Sequence, residues 1–104
     1  MMWKTPTEVH VEGNDFVVAE YDDNCYIGQV MEIDKTDNSK HVNFMVESGK
    51  SLKRFKWPQK VDQIWIEEGK VLQKIEPPVK TGKGGRIFSV PDEIMLFMGL
   101  RNKQ

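Results

Sequence analysis

The sequence predicts an all-β domain: a small five-stranded antiparallel barrel followed by one C-terminal α-helix. Three observations carry this. Five short segments rich in β-branched and aromatic residues are separated by polar turn residues between positions 15 and 78. One segment alternates cleanly, with Val42, Phe44 and Val46 on one face and His41, Asn43, Met45 and Glu47 on the other. That is the period-two signature of a half-buried strand. From position 89 the period changes to that of a helix. Closing five strands into a barrel removes exposed edges, which suits a core as small as 104 residues can build.

Residues 1–14 carry Pro6, Gly13 and alternating charge, and read as an N-terminal arm. Phe16-Val17-Val18-Ala19-Glu20-Tyr21 is the first strand. Asp22-Asp23-Asn24 is turn chemistry, because these short side chains bond their own backbone. The second strand runs over 26–33, with Gly28 as a bulge or close-packing point. A polar turn over 34–39 leads to the alternating third strand over 41–47. Residues 48–60 form a basic loop around Trp57-Pro58. Ile64-Trp65-Ile66 is the fourth strand, and 71–75 is a short fifth strand or a turn of tight helix. Pro77-Pro78 ends the sheet, since neither proline donates to a ladder. The barrel therefore spans 15–78. Residues 79–88 read as a basic, glycine-rich linker or an extra strand. Residues 89–104 are the helix and tail. Ser89 stands as a hydroxyl cap three before Asp92, with Pro91 in the first turn and Asp92 and Glu93 near the positive end of the dipole. Ile94, Phe97 and Met98 form a stripe, while Met95, Leu96 and Leu100 lie off it. Such a helix is apolar nearly all round and calls for burial on more than one side.

Composition excludes several classes. Formal net charge is −1, so neither a globally basic nucleic-acid binder nor an acidic tail fits. The charge is polarised, however. Residues 1–49 hold three lysines and ten acids, net −7, and residues 50–104 hold twelve Lys or Arg and six acids, net +6. Either strands from the two halves pair and neutralise each other, or one face attracts a charged partner. Cys25 is the single cysteine, so no internal disulfide forms, and an intracellular compartment is expected. The N-terminus has no apolar signal core, and no run is long enough to span a membrane. No membrane partner is expected.

Chemistry motifs are weak. Ser48-Gly49-Lys50-Ser51 looks like the end of a phosphate-binding loop, but Phe44 stands where its first glycine belongs. His10, His41 and Cys25 have no metal-ligand spacing. No triad is suggested by spacing, and Asp22-Asp23 reads as a solvated turn. The chain is expected to be no enzyme and to need no cofactor or metal.

The informative residues are aromatic. Tyr21, Tyr26, Phe55, Trp57 and Trp65 stand near loops of the predicted barrel. A cluster opening on solvent holds a methylated ammonium by cation–π attraction, stacks bases or holds proline. The competing reading is that Trp57 and Trp65 plug the barrel ends. A second feature is Lys50, Lys53, Arg54, Lys56 and Lys60, interleaved with Phe55 and Trp57 as a nucleic-acid or acidic-peptide surface. A solvated loop is the alternative.

Val17-Val18-Ala19-Glu20-Tyr21-Asp22-Asp23, Cys25-Tyr26-Ile27-Gly28-Gln29-Val30 and Val42-Asn43-Phe44-Met45 together resemble the opening of a Tudor-type domain, a Src-homology-3-like barrel of the chromatin-reader group. Phe55-Lys56-Trp57-Pro58, Asp62-x-x-Trp65 and Val71-x-x-x-Ile75-x-Pro77-Pro78 resemble a narrower set. Those are uncharacterised, transposon-related animal proteins that carry such a barrel as a module. The resemblance covers about residues 15–90. It implies a nuclear protein with an aromatic cage for methyl-lysine or methyl-arginine, and a methylated histone tail as partner. Tyr21 falls at the first cage position and Tyr26 at the second. Met45 and Ser48 fall at the two remaining aromatic positions, and Lys50 at the polar one beyond. Trp57 or Phe55 would close the cage from the longer loop.

The leading expectation is a non-catalytic module that binds a peptide at Tyr21, Asp22, Asp23, Tyr26, Phe44 and Trp57. Two alternatives stand beside it: nucleic-acid binding through Lys50, Lys53, Arg54, Lys56 and Lys60, and homodimerisation or assembly through Ile94, Phe97 and Met98.

Overall fold

Chain reversal at Asp22 and Asp23 sets up the fold. In the computed structural model, which describes residues 10–48, 54–81 and 84–101, both aspartates have positive φ, 55° and 68°. Asp and Asn tolerate that region, and two such residues in a row make the tight turn that matches strand twist. Strand β1 (Phe16–Tyr21) thereby pairs with β2 (Asn24–Asp34) from Tyr21↔Asn24 to Phe16↔Gln29. The next turn is held by side chains. Asp34 Oδ1 accepts from the Thr36 amide and hydroxyl at 2.9 and 2.6 Å, and Asp37 Oδ1 accepts from the Ser39 amide and hydroxyl at 3.0 and 2.8 Å. It delivers β3 (Ser39–Phe44) antiparallel to β2.

The remaining elements are β4 (Val46–Glu47), β5 (Arg54–Lys56), β6 (Gln63–Ile66), a 3-10 turn (Glu68–Lys70), β7 (Val71–Ile75), β8 (Val79–Thr81), β9 (Ile87–Ser89) and α1 (Asp92–Arg101). The fold is mostly β, in two antiparallel sheets with one C-terminal helix. One sheet has the order β6-β3-β2-β1-β7, and the other β4-β5-β9-β8. Register shifts at Val18/Ala19 and Val30/Glu32 bend the first sheet.

The five expected strands form the first sheet, and the details differ from the expectation in two places. Among the described residues, the hydrogen-bonded ladder of the first sheet runs from β6 to β7 and does not close. The expected third strand breaks at Met45, whose amide donates to the Ile27 carbonyl at 2.9 Å, and Val46 and Glu47 pass into the second sheet. Ser89, expected to cap the helix, pairs in β9 with Arg54 and Val79. The helix starts instead from Pro91, whose carbonyl accepts from the Met95 amide at 3.2 Å.

The first sheet is buried on both faces at its centre. Val17, Ala19, Val30, Val42, Phe44, Ile66 and Val71 form one core inside its bend, joined by Val11 from the preceding segment. Val18, Cys25, Ile27, Met45 and Ile75 face the other way and are covered by Phe55, Val90, Ile94 and Met98. That explains the unbroken apolar run at Val17, Val18 and Ala19, all 0% exposed. Lys40 is 2% exposed beside this core, with its stem buried and its ammonium donating to the Asn38 carbonyl at 2.9 Å. The stripe proposed for dimerisation is used within the chain: Ile94 and Met98 are buried and Phe97 packs against them. Among the described residues of the helix, Leu96 is the apolar side chain left largely in solvent.

The charge polarity is partly neutralised. Lys74 meets Asp15 at 3.4 Å and Lys70 meets Glu20 at 3.9 Å, so basic-half residues beside β7 answer acids beside β1. The second sheet, apart from β4, comes wholly from the basic half.

Candidate functional site

The hairpin end of β1–β2 meets the crossing from β3 to β4 at a cleft of about 570 Å³. That size is within the about 300–1,000 Å³ usual for ligand sites. Tyr21 and Tyr26 stand on its rim, 46% and 36% exposed. The β2–β3 register sets Gly28 opposite Phe44, so Tyr26, two residues back on the same face, meets the Phe44 ring edge-on. Their centroids are 5.8 Å apart and their planes 65° apart. Gly28 is required here: a Cβ would lie 2.4 Å from Val42 Cγ1 and 2.9 Å from the Asn43 carbonyl oxygen. Buried Cys25, Ile27, Met45, Phe55 and Met98 make the floor.

Two carboxylates complete the rim. Glu47 comes from β4, and Asp62 is held by its carbonyl, which accepts from the Phe44 amide at 2.9 Å. Both side chains are exposed, and no Lys, Arg or His stands among the described lining residues. Aromatic faces and carboxylates together favour a cation, and the carboxylates also accept hydrogen bonds from one that retains an N–H.

Of the expected cage, the cleft gathers Tyr21 and Tyr26, with Phe44 behind Tyr26 in the core at 3% exposure. Asp22 and Asp23 sit in the exposed turn beside Tyr21, outside the lining. Trp57 is a correction: it packs against Phe16 at 6.3 Å and lines a different groove, because β5 points Phe55 into the core and the chain then turns away. Met45 lies in the cleft floor, Ser48 does not line it, and Lys50 lies outside the described residues. Trp65, read as a barrel plug or a wall, is 48% exposed on the outer face of the first sheet. It stacks on His41, its register partner, at 4.7 Å and 15°.

Of the expected basic surface, Arg54, Lys56 and Lys60 are exposed, while Lys50 and Lys53 lie outside the described residues. The interleaving resolves as strand alternation, with Arg54 and Lys56 outward and Phe55 inward. Sequence reasoning missed Glu47 and Asp62. They are far apart in the chain and meet only through the crossing at Met45.

Among the described residues no group of three His, Cys, Asp or Glu side chains could hold a metal ion, and no helix is long and apolar enough to cross a membrane. No protein-family model, curated protein or solved structure matches the chain.

Proposed function

We propose that this chain is a non-catalytic interaction module, a Tudor-like barrel that seats a methylated lysine or arginine of a peptide in the aromatic and acidic cleft. The observation that carries the reading is the lining. Tyr21, Tyr26 and Phe44 are gathered with Glu47 and Asp62 around a depression without a cationic side chain among its described residues. The first sheet supports the barrel part. Its last strand returns beside its first, and two bulges bend it, as a small barrel requires. A methylated histone tail is the peptide class this reading names, with a nuclear location to match.

A proton–nitrogen NMR titration with methylated and unmethylated lysine and arginine peptides tests it. Methylated peptides shift Tyr21, Tyr26 and Asp62. Tyr26→Ala weakens their binding about two- to thirtyfold, the range of one cation–π contact of about 0.5–2 kcal/mol. Tyr26 is exposed enough that its truncation leaves the fold intact, which circular dichroism checks. Affinity unchanged by Tyr26→Ala, or no shifts at the cleft with any peptide, overturns the reading.

A further inference from the structure

A second groove, of about 920 Å³, lies on the four-stranded sheet and shares Val46 with the cleft. Its cations come from three separate places in the chain. Lys56 is on β5, Lys80 on β8, and Arg86 stands in the β8–β9 connection just after Gly85, whose φ of 68° turns the chain. No Asp or Glu is among the described lining residues. The ion pairs of the described residues engage Lys70, Lys74 and His10, and none engages Lys56, Lys80 or Arg86. Three cations lining one groove, with no acid among the described lining residues, favour an anion there.

The groove also carries a ring. Trp57 is half-buried, touches Phe16 on its core side and lines the groove with Pro58. Phosphates spaced along a flexible strand meet the cations while an unpaired base stacks on the indole. A duplex hides its base faces, and a run of Asp and Glu offers charge but no ring to stack on the indole. We infer that this groove binds single-stranded nucleic acid, with phosphates on Lys56, Lys80 and Arg86 and a base on Trp57. The inference is independent of the peptide cleft.

The test is fluorescence anisotropy of a labelled oligothymidylate of about ten nucleotides with the full chain. Three phosphate contacts at about −0.7 each give a log–log salt slope of about −2. Affinity then falls about twentyfold between about 50 and 200 mM salt. Binding also moves the Trp57 indole N–H resonance. Lys80→Glu combined with Arg86→Glu, both exposed positions, lowers affinity about tenfold or more at the lower salt. Lys35→Glu, on the exposed β2–β3 turn, changes it less than about twofold. Three results overturn the inference. These are no binding at low salt, binding that survives the double reversal, or an oligoglutamate of matched charge that binds as tightly and moves Trp57 as far. The last assigns the groove to acidic peptides.

Discussion

The two sheets are built to different standards. The first has strands of four to eleven residues, long registers and a centre buried on both faces. The second has strands of two or three residues and buries Phe55 while leaving Val79 65% exposed. The first therefore holds the free energy of folding, and the second rides on it. Both candidate sites follow this division. The cleft is carved where the first sheet ends, from side chains the core holds in place. The groove is laid across the second, from cations that no core constrains.

The sharpest way to break this contrast is at glycine. Gly28→Ala forces a methyl against Val42 and the Asn43 backbone, and costs about 3 kcal/mol or more in a denaturant melt. Gly84→Ala, in the β8–β9 connection, meets nothing within 4 Å and changes stability by less than about 0.5 kcal/mol. Equal losses at the two positions would mean that the second sheet is as tightly specified as the first.

The next largest effect compares two isoleucines. Ile27→Ala, at 1% exposure between β2 and the helix, costs about 2–5 kcal/mol. Ile87→Ala, half-buried on β9, costs clearly less in the same melt, about 1 kcal/mol. A cost at Ile87 as large as at Ile27 would dissolve the distinction.

The smallest effect is electrostatic. The Asp15 carboxylate accepts from the Glu12 amide at 2.8 Å and faces Lys74 at 3.4 Å, which together hold its pKa below the ordinary carboxylate value. A depressed folded-state pKa contributes stability above the unfolded value, and this is lost as pH falls through the folded one. Asp15→Asn should therefore lower the melting temperature slightly near neutral pH, and the difference should vanish in acid. A difference that persists in acid would assign the effect to the lost capping geometry instead of the charge.

What the sequence disclosed follows the same division. The first sheet could be read because its strands are long enough to show period and its turns carry their own chemistry, at Asp22-Asp23 and at Asp34 and Asp37. The helix could be read from Pro91, Asp92 and Glu93. Strands of two or three residues show no period, so β5 was hidden inside the basic loop, β4 was read as the end of the third strand, and β8 and β9 fell in a segment read as a linker or an extra strand. The run Val17-Val18-Ala19 belongs to a strand covered on both faces, and its unbroken apolar character was read only as β-strand propensity. Within the cleft, Tyr21, Tyr26 and Phe44 were legible because neighbouring strands of one meander carry them. Glu47 and Asp62 were not, because only the crossing at Met45 brings them together. Trp57 misled because a loop position says nothing about which side of a sheet its side chain reaches.

The place of β1 governs the order of events during synthesis. Its register partners lie on β2, a few residues away, and on β7, where Phe16 meets Ile75. The cover over Val18 comes later still, from Ile94 and Met98. A chain emerging from the ribosome therefore carries an apolar, half-paired strand until β7 and α1 have been released. Such distant pairing slows folding and leaves a sticky edge open in the interval. A chain truncated before Ile75 should accumulate as aggregate, not as a smaller folded domain.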